Sequence, residues 1–195
     1  RHIFRDIELP NSLLYLEKYA FSGCKSLYTL KIPSKLQRIS DYTFSKCISL
    51  TEIKIPGSIR EIGYKSFSGC SGLREISIPS TVKTVGIGAF ENCTELKDIS
   101  LPTTLTEINY YTFSGCTSLT TLTLHSKLTA INNYAFAGCK SLTEIHCKNS
   151  NPPLIGENTF RDVNRIGCKI FVPSKRAKKS YSTALYWNEF TIYIE

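Results

Sequence analysis

The chain has 195 residues, of which 42% are hydrophobic, and its 24 Lys and Arg residues against 16 Asp and Glu residues give a formal charge of +8. This apolar content excludes an intrinsically disordered chain, and no run of about 18 apolar residues is present that would span a membrane. At about 100–200 residues per domain, the length corresponds to one or two folding units. Eight cysteines in so short a chain are the first unusual feature.

Six of these cysteines recur at a constant spacing of 23 residues, which defines an internal repeat. They are Cys24, Cys47, Cys70, Cys93, Cys116 and Cys139. A phenylalanine column has the same period and consists of Phe21, Phe44, Phe67, Phe90, Phe113 and Phe136. Because a unit of this length cannot bury its own apolar side, stacked neighbours must form one continuous core. The sequence therefore predicts a solenoid.

Each unit follows the pattern small-Phe-x-x-Cys-x-x-Leu-x-x-Ile-x-Ile-Pro-x-x-Leu-x-x-Ile. The Ile-x-Ile stretch alternates apolar and polar positions, which predicts a short strand. The proline that follows ends this strand, because proline cannot donate to a ladder. Strands of successive units are expected to form one parallel sheet. The second Leu-x-x-Ile stretch predicts either a short strand or a polyproline segment on another side, and the residues around the Phe predict a tight turn or a short helix.

These repeats resemble leucine-rich repeats of the treponemal type, as in Bacteroides surface protein A and its relatives. The resemblance covers residues 4–160 and rests on Ala-Phe-x-x-Cys-x-x-Leu and Ile-Pro motifs such as Ala89-Phe90, Cys93, Leu96 and Ile78-Pro79. It implies an α/β solenoid, a right-handed superhelix of 23-residue units with a parallel β-sheet on its concave face. The pattern departs at His125 and Lys148, which replace proline, and at Lys65 and Gly88, which interrupt a tyrosine column.

The two ends of the array differ. The period fails after Cys147, at a cluster of turn-forming residues, and Ser174 is placed to cap a helix from Lys175 to about Tyr186 between two predicted strands. A terminal unit must cover the open end of the core. We therefore predict a repeat array over residues 1–148, and an atypical last repeat with a C-terminal cap of β-α-β form over residues 149–195. No such cap precedes the first repeat, so the natural protein is expected to continue upstream.

The cysteines admit disulfide, zinc-binding and nucleophilic functions. Equivalent positions on stacked strands lie about 4.8 Å apart with parallel Cβ vectors, whereas a disulfide needs converging Cβ atoms about 3.8 Å apart. The spacing lacks the Cys-x₂-Cys pairs of zinc sites, and a core position gives no reason for a reactive thiolate. We therefore expect buried free thiols. Because the chain also lacks the common catalytic and phosphate-binding motifs, we expect a non-enzymatic protein without metal or cofactor.

The side chains that alternate with the core on the strands form the main candidate binding surface. They are Lys31, Glu52, Lys54, Glu75, Asp98, Thr121, Thr123, Glu144 and His146. Solenoids present such polar concave faces to extended partners. Alternatively, Lys31 with Glu52 and Lys54 with Glu75 pair across adjacent strands, at about 0.2–1 kcal/mol each.

Two further surfaces are candidates. The first is a column of tyrosines two residues before the repeat Phe, which comprises Tyr19, Tyr42, Tyr111 and Tyr134. These rings are able to stack on a sugar or a protein partner, or else they pack on the outer rim of the solenoid. A basic cluster on the predicted helix is able to meet phosphate, sulfated glycan or acidic lipid, or else is a solvated helix face; it comprises Lys175, Arg176, Lys178 and Lys179. The stripe of interleaved basic and aromatic residues typical of nucleic-acid binding is missing.

The resemblance implies adhesion, so we predict a monomeric recognition module of a cell-surface or secreted protein that binds an extracellular-matrix or cell-surface protein. A structural spacer of a larger surface protein is the first alternative, and a glycan-binding accessory domain is the second. Fold alone does not decide among them.

Overall fold

The protein, described by a computed structural model over residues 6–195, is a solenoid of about seven turns with little helix. All of its strand pairs are parallel, as predicted. In chain order the strands are β1 (Asp6–Ile7), β2 (Thr29–Leu30), β3 (Arg38–Ile39), β4 (Glu61–Ile62), β5 (Glu75–Ser77), β6 (Thr84–Val85), β7 (Asp98–Ser100), β8 (Glu107–Ile108), β9 (Thr121–Leu124), β10 (Ala130–Ile131), β11 (Glu144–Cys147), β12 (Leu154–Ile155), β13 (Lys169–Val172) and β14 (Thr191–Ile194).

The strands form two ladders on different sides of the solenoid. The face ladder contains β1, β2, β5, β7, β9, β11, β13 and β14, and the second ladder contains the two sheets β3-β4-β6 and β8-β10-β12. The second ladder consists of two-residue strands that pair one period apart, such as Glu61 with Arg38, except that β10 pairs with β12 at a spacing of 24 residues. The second Leu-x-x-Ile stretch of these units therefore forms a short strand and not a polyproline segment.

The face ladder is not the single continuous sheet that the repeat pattern predicts. It is divided into β1-β2, β5-β7 and β9-β11-β13-β14. Between the first two, residues 52–55 form no strand and, within residues 6–195, no main-chain hydrogen bond to another main-chain group. The open rung, as we call residues 52–55, stays in register because the side chains of Ile53 and Ile55 remain buried in the core.

A third set of main-chain hydrogen bonds holds the units together at the turn around the Phe. In the unit that contains the open rung, the amides of Tyr42, Phe44 and Lys46 donate to carbonyls of the next unit over 2.9, 2.7 and 2.7 Å. Equivalent bonds join most successive units. The turns therefore tie this unit to the next one where the face ladder is open, and the alternative of a short helix here was wrong.

The tyrosine column occupies a backbone position with positive φ. The values are 63° at Tyr19, 56° at Tyr42, 59° at Tyr111 and 63° at Tyr134. The two residues that interrupt the column, Lys65 and Gly88, have φ of 46° and 63°. Glycine adopts this left-handed conformation without steric cost, so Gly88 satisfies a backbone requirement of the turn and is not an irregularity.

The core is built from columns of identical side chains. The six repeat phenylalanines and Phe160 stack with ring centroids 5.2–5.6 Å apart and nearly parallel planes. Beside them, each thiol from Cys47 to Cys139 donates to the carbonyl oxygen of a Phe in the preceding unit over 3.0–3.4 Å. None of the eight cysteines, all within the described residues, forms a disulfide; seven are buried, and Cys24, for which a buried thiol was predicted, is partly exposed.

The C-terminal segment continues the face ladder through β13, a helix and β14. Helix α1 (Lys175–Thr183) begins as predicted, with the Ser174 hydroxyl accepting a hydrogen bond from the Ala177 amide over 3.1 Å. It ends three residues before the predicted Tyr186, because Ala184 is extended and Tyr186 has a left-handed backbone. Between residues 6 and 195 no helix is long and apolar enough to cross a membrane.

Candidate binding groove on the strand face

Outward side chains of the face ladder stand in two columns, one at each end of the rungs. The first column contains Glu52, Glu75, Asp98, Thr121 and Glu144, and the second contains Lys31, Lys54, Thr123 and His146. The register places neighbours of a column on adjacent strands, as for Glu75 with Asp98, Thr121 with Glu144 and Thr123 with His146. Strand alternation thus brings these predicted residues to one face.

Four successive rungs of this face line a groove with a cavity volume of about 640 Å³. Its walls are the charged and hydroxyl side chains at both ends of the rungs, and its floor is formed by Leu30, Ile53, Ile76 and Ile99. The open rung lies within the groove, and Ile99 is only partly buried. The volume falls in the range of ligand pockets, about 300–1,000 Å³.

The charges in the groove are not neutralised by ion pairs within the described chain. The groove contains two lysines and three carboxylates, all exposed: Lys31, Lys54, Glu52, Glu75 and Asp98. None of them takes part in an ion pair among residues 6–195. The alternative that Lys31 pairs with Glu52 and Lys54 with Glu75 was therefore wrong. The charges face the groove and remain available to a ligand.

The C-terminal half of the face has a different chemistry and does not line the groove. His146 contacts Glu144 over 3.5 Å and Glu195 over 2.7 Å, and Lys148 contacts Glu195 over 2.6 Å. The hydrogen bonds from Lys148 and His146 lower the pKa of Glu195. Lys148 and Glu195 neutralise each other here, in contrast to the charges of the groove.

An aromatic stack on this half was not predicted from the sequence. The His146 ring stacks on Phe171 with centroids 4.8 Å apart, and Phe171 lies 5.7 Å from Tyr193. Phe171 and Tyr193 belong to the column of His146 by strand register. They follow at spacings of 25 and 22 residues, so the 23-residue period does not reveal them.

The predicted tyrosine column forms two separate pairs. Tyr19 stacks on Tyr42 with centroids 4.7 Å apart, and Tyr111 stacks on Tyr134 at 4.9 Å. Lys65 lies between the pairs, and the pKa of its amine is raised by a 3.0 Å contact to Glu91. Because stacked rings cover one another's faces, the geometry favours packing on the rim over a sugar-stacking platform.

The basic cluster on α1 is exposed as predicted. Lys175, Arg176, Lys178 and Lys179 all point to solvent on the two turns around the buried Ala177, and none of them is in an ion pair within the described range. The cluster is well removed in sequence from the residues that line the groove. It remains a second predicted surface.

The thiols have the chemistry of core residues. Burial raises the pKa of Cys47, Cys139, Cys147 and Cys168 to about 12. A thiol with so high a pKa is almost entirely protonated near neutral pH and is a poor nucleophile. Residues 6–195 contain no group of three or more His, Cys, Asp or Glu side chains arranged to hold a metal ion.

A parallel solenoid of short repeated units, with one strand per turn on an accessible face, defines the class of leucine-rich repeat proteins. Within this class, residues 2–93 and 61–186 match the family described as BspA type leucine rich repeat region, in six copies. The chain belongs to this family, which confirms the resemblance seen in its motifs. No curated protein matches the chain.

Solved structures share the fold. A leucine-rich repeat protein from Bacteroides ovatus is 24% identical with a TM-score of 0.67, over 97% of this chain and 60% of that one. The T. pallidum leucine-rich repeat protein is 29% identical with a TM-score of 0.69, over 74% and 70%. The pneumococcal vaccine antigen PcpA is 21% identical with a TM-score of 0.59, over 98% and 41%. This chain thus spans 60% of the length of the first protein and 41% of the third, less than two thirds of each.

Proposed function

We propose that the chain is a non-enzymatic recognition module that binds a protein partner through the groove on its strand face. The observation that carries this proposal is the group of five exposed charges that have no ion-pair partner within residues 6–195, around a groove floor at which Ile99 is partly exposed. An ion pair between neighbouring exposed side chains is worth little within one chain. The same charges steer association and determine which partner fits when they meet complementary charges across an interface.

The partner we propose is a protein of the extracellular matrix or of another cell surface, and the module itself is part of a surface or secreted protein. The support is membership in the BspA-type family, together with the general use of solenoids as extended binding surfaces. We propose that the module acts as a monomer. The rival function is a spacer that displays other domains and binds nothing through this face.

A binding assay on immobilised matrix proteins tests the proposal. The test variant combines Lys54→Glu, Glu75→Lys and Asp98→Lys, which together raise the net charge by two. The control Glu107→Lys raises it by the same amount on β8 of the second ladder, where Glu107 is exposed. Matched unfolding curves of the variants would show that both remain folded.

We expect saturable binding of at least one matrix protein at physiological salt, lost in the triple variant and kept in the control. Equal binding by both variants would exclude the groove as the site. Binding that disappears at physiological salt in every form of the protein would instead implicate general attraction to the basic charge. No binding to any protein of the panel would favour the spacer.

A further inference from the structure

The shape of the groove restricts what it can hold. Its two walls are two residues apart along each rung, as at Glu75 and Ser77 of β5, and this corresponds to about 6.6–6.8 Å. Four rungs at about 4.8 Å spacing make the groove about 14 Å long. An α-helix with side chains is about 10–12 Å wide, which is too wide to reach the floor between the walls. An extended peptide chain is narrow enough.

The charge of the groove restricts the composition of its occupant. Three carboxylates follow one another on adjacent rungs of one wall, from Glu52 through Glu75 to Asp98, in a protein whose formal charge is +8. Lys31 and Lys54 stand on the opposite wall, at the N-terminal end of the groove only. No cation of the described chain pairs with any of the three carboxylates of this wall. A ligand with basic side chains supplies the missing positive charge.

We propose that the groove binds an extended peptide segment with basic side chains at alternate positions. This inference rests on the proposed function and specifies its ligand. Alternate side chains of an extended chain are about 6.6–6.8 Å apart on one side. Two of them therefore lie within the row of three carboxylates from Glu52 to Asp98, which covers about 10 Å.

Three synthetic probes test the proposal by fluorescence anisotropy. The first is a labelled peptide of alternating Lys and Thr, which favours an extended chain. The second replaces each Lys with Glu. The third is a hydrocarbon-stapled helical peptide with the same number of lysines as the first. We expect saturable binding of the first peptide and at least about tenfold weaker binding of the other two.

A pair of matched variants locates the site. Glu75→Gln with Asp98→Asn removes two carboxylates from the groove, and the control, Glu95→Gln with Glu107→Gln, removes two exposed carboxylates outside it. The first variant is expected to weaken binding of the Lys-Thr peptide about tenfold, which corresponds to the loss of two partly exposed charge pairs. The control is expected to change it less than about twofold.

Equal binding of the extended and stapled peptides, or an equal effect of both variants, would overturn the proposal. Absence of peptide binding would overturn it as well. If the triple charge reversal still abolished binding of a matrix protein in that case, the proposed function would stand and only this ligand class would fail. If the peptide did not bind and the triple charge reversal also left binding of the matrix protein unchanged, both proposals would be refuted.

Discussion

Shortening one phenylalanine in the middle of the aromatic column tests whether the solenoid is stabilised mainly by contacts between neighbouring units. Phe90 is fully buried, and its ring lies 5.2 Å from Phe67 and 5.4 Å from Phe113, with interplanar angles of 6° and 4°. Phe21 is only partly buried, and within residues 6–195 it stacks on Phe44 alone, at 5.5 Å. The same substitution therefore removes two stacks at one site and one at the other.

The magnitudes follow from these contacts. An aromatic pair contributes about 0.5–1.5 kcal/mol beyond the burial of its area. With the cost of the residual cavity, Phe90→Leu is expected to lower the free energy of unfolding by about 2–4 kcal/mol. Phe21→Leu loses one stack at a partly exposed site and is expected to cost about 1 kcal/mol.

Urea unfolding measures both free energies, with circular dichroism reporting the strands and the fluorescence of the buried Trp187 reporting the C-terminal end. Coincident transitions by the two probes are needed for a two-state treatment, and an unchanged denaturant slope would show that the same surface is exposed. If Phe21→Leu cost as much as Phe90→Leu, contacts between stacked units would not be the source of stability.

Three further predictions concern the thiols, a glycine pair and a histidine. Near neutral pH, a disulfide reagent should modify Cys24 rapidly, because its thiol is the only one of the eight that is partly exposed. The other seven thiols should react only after unfolding, and Cys24→Ser should abolish the rapid phase of the reaction. Gly86→Ala should destabilise the protein by about 1–3 kcal/mol, because the added Cβ would lie 2.7 Å from the main chain of Gly63. Gly57→Ala is the matched control: its Cβ would meet open space, and it should stabilise the protein by about 0.4–1 kcal/mol in thermal unfolding. Desolvation lowers the pKa of the buried His125, whose Nε2 has no hydrogen-bond partner in the described chain. The stability it contributes is therefore present above its unfolded pKa of about 6.5 and is lost as pH falls through this value toward the folded pKa. Proline is the usual residue at the position of His125 in the repeat. Urea unfolding across this pH range should show that the free energy of unfolding falls less with acid in His125→Pro than in the unsubstituted protein. An equal fall in both would contradict this explanation.

The period of the sequence predicts the core and the strand register because every unit uses the same positions for the same contacts. A shift of 23 residues takes Glu75 to its partner Asp98 and Phe67 to its stacking neighbour Phe90. The candidate groove follows from the same shift, since the outward positions alternate with the buried ones. Because each unit contacts only its neighbours, a repeated sequence pattern is enough to predict these contacts.

The break in the face ladder could not be predicted in this way. Residues 53–56 and 76–79 both have the sequence pattern Ile-x-Ile-Pro, yet only the second forms a strand. Both keep their isoleucines buried, so the burial pattern, which is what the sequence predicts, does not distinguish them. The period also changes after Cys147, which hid the alignment of Phe171 and Tyr193 with His146.

The open rung and the turn ladder together explain how this solenoid combines a stable core with an adaptable face. The unit that has lost its strand pairing retains three main-chain hydrogen bonds to the next unit at the turn, through Tyr42, Phe44 and Lys46. It also retains the stacking of Phe44 between Phe21 and Phe67. Because these contacts fix the unit from the opposite side, substitutions on the face of the open rung alter its charge without removing core contacts. Binding variants there are therefore expected to separate recognition from folding.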